Sequence, residues 1–462
     1  MTTAWGRASR LITVGAIAIS GLYLGSPGQA SASGYAIRED SAEALGTAFA
    51  GNASSATFLS TIFNNPAGMT YFTGDRAQAD GSLIDPTFNY SASASETCFH
   101  CSQVFGPGTA PIGGRTSGEM AKSAFVPAGY FLHSITPDLK IGLALTAPFG
   151  LATQYSDDWV GRYFGIKSAV RSIDINPNIA YRITDNISVG AGISAQYMYA
   201  DFTSAIDLNA LAFPPLAPVV TLPPGSVPDG KFEIKGSDWA VGYNFGAIYD
   251  TLQGTRLGIA YRSRVEHTLT GNATFSNIPF PASLLPNFAS SGGKASITNP
   301  DNVDVSVTQQ ITEKFRLAGD VQWTDWSLFK SLNIQRSNGT LIQSTPENWH
   351  DTVFVSIGGT YNYDDNWTFR AGFAYDQSPV SQQDITVRLP DADRYWLSTG
   401  VGYKISEGIS VDAAYTHIFM PSVNLDGSAN NTIAYPTGAV DAVRASYSNS
   451  IELASLQARF KF

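Results

Sequence analysis

Cys98 and Cys101 lie three residues apart in a Ser- and Gly-rich stretch, with His100 between them. Two thiols and one imidazole make an incomplete structural zinc site, and no second cluster stands elsewhere in the chain, so neither metal nor cofactor is expected. In an exported protein the same pair reads as a local loop disulfide. The other histidines, His133, His267, His350 and His417, are scattered, and no Gly-x-Ser-x-Gly elbow or paired metal motif accompanies them. The chain is therefore not expected to be an enzyme. A lipase triad gathered from distant strands is the one catalytic alternative, and release of fatty acid from phospholipid would reveal it. What remains is binding chemistry. Any anionic group taken out of water needs a cation or several donors, and Arg370, Arg394, Lys330 and Arg336 are the basic residues that could meet one. Arg370 and Arg394 fall on the polar side of alternating strands, while Lys330 and Arg336 lie beside a long irregular stretch. The plain alternative for the two strand arginines is an ion pair with Asp or Glu.

The elements that must position these residues are strands. Trp367, Phe369, Ala371, Phe373 and Tyr375 alternate with Thr368, Arg370, Gly372 and Ala374. Tyr395, Leu397, Thr399, Val401, Tyr403 and Ile405 alternate with Trp396, Ser398, Gly400, Gly402 and Lys404. A period of two places one set toward apolar surroundings and the other toward polar or small groups. Short polar turns at 136–140, 184–186, 250–254, 312–314, 364–366 and 406–408 alternate with long stretches near 91–120, 151–168, 203–236, 275–300, 337–349, 379–393 and 421–448. Six short turns and seven long loops require fourteen strands, the arrangement of an outer-membrane barrel. The proline clusters at 213–218 and 222–228 cannot donate to a ladder and belong to a loop.

Both ends of the chain agree with an outer-membrane location. Residues 1–32 combine Arg7 and Arg10, a broken apolar run and the small residues Ala30, Ser31 and Ala32, which together read as a secretory signal peptide. At the other end Leu456, Ala458, Phe460 and Phe462 alternate with polar residues in a last strand. Only 14% of the 462 residues are charged, yet no later segment is long and apolar enough for a helical span. A barrel satisfies both facts, since its backbone groups pair between strands. The net charge of −10 and the lack of a basic patch exclude nucleic acid as an expected partner. Residues 33–75 do not alternate, and 41–49 reads as a short helix. Such a segment ahead of a wide barrel is expected to fold into the lumen as a hatch. The expected organisation is a signal peptide at 1–32, a hatch at 33–75 and an all-β, fourteen-stranded antiparallel transmembrane barrel at 76–462.

The run from Tyr363 through Asp364, Asp365, Asn366, Trp367, Thr368, Phe369 and Arg370, followed by Ser378, Pro379, Val380, then Pro390, Asp391, Asp393, Arg394, Trp396, Leu397 and Ser398, resembles the FadL family of outer-membrane transporters. Asn65, Pro66 and Ala67, Ser41 with Leu45 and Gly46, Asp85 with Pro86, and Gly150, Leu151, Ala152 and Thr153 add to the resemblance, which spans the mature chain. The resemblance implies passive uptake of hydrophobic compounds, long-chain fatty acids first. Ligand would be captured in an outer apolar groove and a pocket beside the hatch, then leave sideways at a kink in the third strand. It implies hatch roles for Leu45, Gly46, Asn65, Pro66 and Ala67. Pro148, Gly150 and Leu151 fall where the kink belongs, and the alternative is that Pro148 and Gly150 merely end the third strand. The fifth strand departs from a fatty-acid pattern, since 197–206 holds no basic residue. That leaves uncharged aromatic hydrocarbons as an alternative cargo, and a general hydrophilic porin as an alternative function. Expected partners are the hydrophobic ligand, outer-membrane lipid and lipopolysaccharide, with the protein a monomer in the outer membrane of a Gram-negative bacterium.

Overall fold

The computed structural model describes residues 34–98, 108–210, 228–280, 282–435 and 439–462. The signal peptide and Cys101 lie outside the described residues, and of Cys98 only the backbone is described. Fourteen strands form one closed barrel. They are β1 Arg76–Cys98, β2 Ala124–Ser134, β3 Leu139–Thr146 resuming as Gly150–Gln154, β4 Lys167–Arg182, β5 Ile187–Ile206 and β6 Gly230–Asp250. β7 is Thr255–Arg262 with Val265–Ser276, β8 Ser291–Asn299 with Asn302–Gln310, β9 Phe315–Thr324 with Ser331–Arg336, and β10 Leu341–Pro346 with Thr352–Asn362. β11 Trp367–Asp376, β12 Arg394–Ser406, β13 Ile409–Phe419 and β14 Val440–Lys461 complete the wall. Each strand pairs antiparallel with the next, and β1 closes on β14 from Arg76 opposite Lys461 to Thr97 opposite Val440.

β4 shows why these residues form such a wall. Ile173, Ile175 and Ile179 are 42%, 37% and 50% exposed toward lipid, whereas the intervening Asp174, Asn176 and Asn178 are buried toward the lumen. Pro177 cannot donate a ladder bond. The Asn176 side-chain amide donates instead to the Ile193 carbonyl at 3.0 Å. The aromatic faces read from the sequence also point outward, with Phe369, Phe373 and Leu397 exposed and Trp396 buried inside.

All six short turns fall where the sequence places them. The long loops are shorter than expected, because β1 runs on to Cys98, β6 already starts at Gly230 and β14 at Val440. At the outer end of β1 the exposed face is polar, with Ser91 and Ser93 outward while Ala92 and Ala94 are buried inward. The apolar period therefore vanishes while the ladder continues.

Residues 34–72 lie inside the barrel. They contain two short helices, α1 Ala42–Leu45 and α2 Thr61–Asn64, and a 3-10 turn Pro66–Tyr71. The helix expected over 41–49 stops after α1, which Ser41 caps through its side chain. Ala48 and Phe49 then take left-handed backbone angles, at φ 51° and 60°. That conformation is uncommon for residues with a Cβ and ends the helix sharply.

Candidate functional site: plug, wall gap and outer groove

The amino-terminal segment meets the wall at close quarters, through side-chain bonds to wall carbonyls and a near approach of the two backbones. Asn65 is fully buried, and its side-chain amide donates to the Ala53 carbonyl at 2.7 Å and to the wall carbonyls of Ala247 and Ile259 at 3.2 and 3.3 Å. Its Oδ1 accepts the Ala67 N–H at 3.1 Å, and Pro66 starts the 3-10 turn. Such an approach needs a bare wall. A Cβ on Gly246 would stand 1.9 Å from Asn65 Oδ1, and one on Gly372 would stand 2.2 Å from the Thr47 carbonyl. Gly46 likewise abuts Gly400, and Leu45 and Ala67 are fully buried.

Arg370 and Arg394, the strand candidates for a ligand carboxylate, are neutralised by protein carboxylates. Arg370 binds Glu43 of α1 and Asp412 of β13, each at 2.9 Å. Arg459 reaches the same Glu43 at 2.6 Å. This network ties the plug to the wall. Arg394 is buried against Asp391 and, at 3.7 Å, Asp376. Both arginines thus follow the ion-pair alternative.

β3 does not end at Pro148. It breaks at 147–149 and resumes along β4, so Thr146 lies opposite Asp174 and Gly150 opposite Arg171. On the other side, the ladder to β2 stops at Gly129 opposite Leu145. The segment just ahead of β2 rejoins β3 at the Ala121–Thr153 bridge. Between those points β2 continues along β1, but residues 124–128 have no ladder partner on β3. The amino-terminal segment takes the vacant position: Ile37 N–H donates to the Pro148 carbonyl and Gly150 N–H to the Tyr35 carbonyl, both at 2.8 Å. Behind this gap lies a cavity of about 100 Å³ lined by Ile37, Arg38, Val126, Ala128, Pro148 and Phe149 among others. Leu151 is buried just past the break. Tyr35 packs among Phe149, Trp326, Phe329 and Trp349, with ring centroids 4.9 to 6.1 Å away.

A second cavity, an outer groove of about 580 Å³, is lined by Phe164, Phe232, Phe275, Phe288, Leu341, Ile342, Val387 and Ile433, with Arg336 and Arg388. Arg336 donates to the Asn287 carbonyl at 2.7 Å and covers the Phe275 ring. Arg388 donates to the Lys167 carbonyl and to Ser168 Oγ, both at 3.1 Å. Neither guanidinium has a carboxylate within ion-pair distance among the described residues. Burial lowers Arg388 to about 10, so it remains cationic at neutral pH. Arg388 was missed in the sequence. The signal was a lone cation between the apolar Val387 and Leu389 in a long loop. Lys330 is exposed and lines neither cavity.

Residues 24–462 match the model of a family described as outer membrane protein transport protein (OMPP1/FadL/TodX). A long-chain fatty acid transport protein of Escherichia coli O157:H7 is 28% identical over 86% of this chain and 90% of its own length. A putative outer membrane protein of Neisseria meningitidis serogroup B is 32% identical over 93% and 95%. Among solved structures, a Pseudomonas aeruginosa FadL homologue superimposes with a TM-score of 0.79 at 24% identity, over 93% of this chain and 99% of that one. The Pseudomonas putida toluene transporter TodX does so with 0.65 at 18% identity, over 92% and 99%.

Proposed function

Because the chain belongs to the OMPP1/FadL/TodX family of outer-membrane transport proteins, we propose that it admits long-chain fatty acids passively and releases them sideways through the gap between β2 and β3. The observation that carries this reading is the interrupted ladder. An unpaired strand segment facing lipid is costly unless something covers it, and the stretch 35–37, hydrogen-bonded across the break in β3 at Pro148 and Gly150, supports the reading of a cover that withdraws. Withdrawing that stretch would join the inner cavity to the membrane. Capture is the easy half of transport: burying a sixteen-carbon chain yields about 12 kcal/mol before ordering costs. Release needs a second state that binds the chain less well, and plug movement supplies one. The outer groove offers apolar walls for the acyl chain, with Arg336 and Arg388 for the carboxylate.

A second reading is favoured by the aromatic cluster around Tyr35 and by the lack of a basic residue at 197–206: the cargo is an uncharged aromatic hydrocarbon. Uptake of labelled oleate by a Gram-negative host that lacks its own transporter and expresses this chain separates the two. Uptake above the empty-vector level supports fatty acid. Background uptake, with the protein folded in the outer membrane, overturns it in favour of hydrocarbon. A hydrophilic porin is disfavoured by the plug, and steady ion conductance in a planar bilayer would restore it. The protein is proposed to act as a monomer surrounded by lipid and lipopolysaccharide.

A further inference from the structure

At the outer rim three carboxylates converge from separate parts of the chain: Glu96 near the end of β1, Asp207 just after β5, and Asp441 at the start of β14. One carboxylate oxygen from each lies within 4.8 Å of the others. All three residues are buried, at 4%, 1% and 0% exposure. Asp207 Oδ1 accepts the N–H groups of Asn209 and Ala210, and Asp441 Oδ2 accepts the Tyr435 hydroxyl at 2.6 Å. Asp207 Oδ2, Asp441 Oδ1 and Glu96 Oε2 are left buried without a hydrogen-bond donor among the described residues. Glu96 stands apart from the other two: no turn, hydrogen bond or ion pair among the described residues accounts for it. Arg162, whose field reaches Asp441, is itself held by Asp229 and the Gly113 carbonyl.

Buried carboxylates without donors are costly unless they hold protons or bind a cation. Oxygens separated by up to about twice a Ca–O bond of 2.3–2.6 Å suit a calcium ion, which tolerates irregular carboxylate sets completed by water. We propose that Glu96, Asp207 and Asp441 form a calcium site that braces β1, β5 and β14 at the rim of the outer groove, whose lining includes Asp207 and Tyr435. The site stands whether the cargo is an acid or a hydrocarbon.

The test uses the full chain folded in detergent and stripped with chelator, titrated with Tb³⁺ under excitation of the aromatic residues. The expected result is a saturable luminescence that calcium displaces and that falls to background in both Asp207→Asn and Glu96→Gln. The circular-dichroism spectrum reports whether each variant folds, and Glu96→Gln alone carries the test if Asp207→Asn does not. Absence of a saturable signal, or a signal that persists in Glu96→Gln, overturns the proposal. A melting temperature that rises with acid and ignores calcium also overturns it, because the cluster would then be sharing protons.

Discussion

The arginines of this protein separate by what balances their charge. Arg370 and Arg394 are matched by buried carboxylates, whereas Arg388 and Arg336 are held by carbonyls and hydroxyls and keep a net charge beside an apolar groove. A charged hydrogen bond contributes about 1.5–3 kcal/mol. Arg388→Ala is therefore expected to weaken oleate binding about tenfold to a hundredfold while leaving a neutral hydrocarbon of similar size unaffected. Fluorescence displacement on the purified protein measures both, and equal losses for the two ligands would show that Arg388 only shapes the groove. Arg370→Ala should act differently, since it leaves Asp412 and Glu43 short of a cation. Breaking such a buried pair costs about 3–5 kcal/mol. A lower melting temperature together with raised ion conductance is expected, and unchanged values would show that Arg459 alone holds α1.

At the scale of elements, the decisive pairing joins a strand to a segment that is not part of the wall. Ala36 lies opposite Phe149, with Ile37 and Gly150 donating on either side. That pattern is a non-hydrogen-bonded antiparallel pair, whose Cα atoms lie about 4.5 Å apart and within disulfide reach. Ala36→Cys with Phe149→Cys, in a background where Cys98 and Cys101 are Ser, should form a bond that locks 35–37 onto the wall. Oxidised protein is expected to lose uptake and reduced protein to regain it. Uptake that ignores the redox state would place the exit elsewhere. The wall glycines complete the same device: Gly246→Ala must displace Asn65, and it should release the plug without disturbing strand pairing.

On the scale of the whole molecule, a barrel of fourteen strands is wide enough for an aqueous channel, and residues 34–72 pack against its inner face, with Asn65 and Thr47 pressed against the bare wall glycines Gly246 and Gly372. Deleting 34–74 should convert a closed protein into a steadily conducting pore in planar bilayers. Background conductance from a folded deletion protein would mean that the lumen closes without the plug.

Strand number, the six short turns and the outward-facing aromatics were legible in the sequence, because lipid on one face and lumen on the other impose a period of two that no distant contact can erase, while the family was legible only through the motif resemblance that centres on 363–370 and 390–398. The Pro148–Gly150 break was legible as well, since a missing N–H and a missing Cβ act locally. Tertiary structure alone decided which arginines stay unmatched. Arg370 and Arg388 look alike along the chain, and only closure of the barrel brings Glu43 and Asp412 to the first while leaving the second among carbonyls. It also decided that residues 35–37 bond the break in β3, because the hydrogen bonds from Ile37 to Pro148 and from Gly150 to Tyr35 join residues more than a hundred positions apart. Such pairings depend on geometry that arises only once fourteen strands have closed into a cylinder.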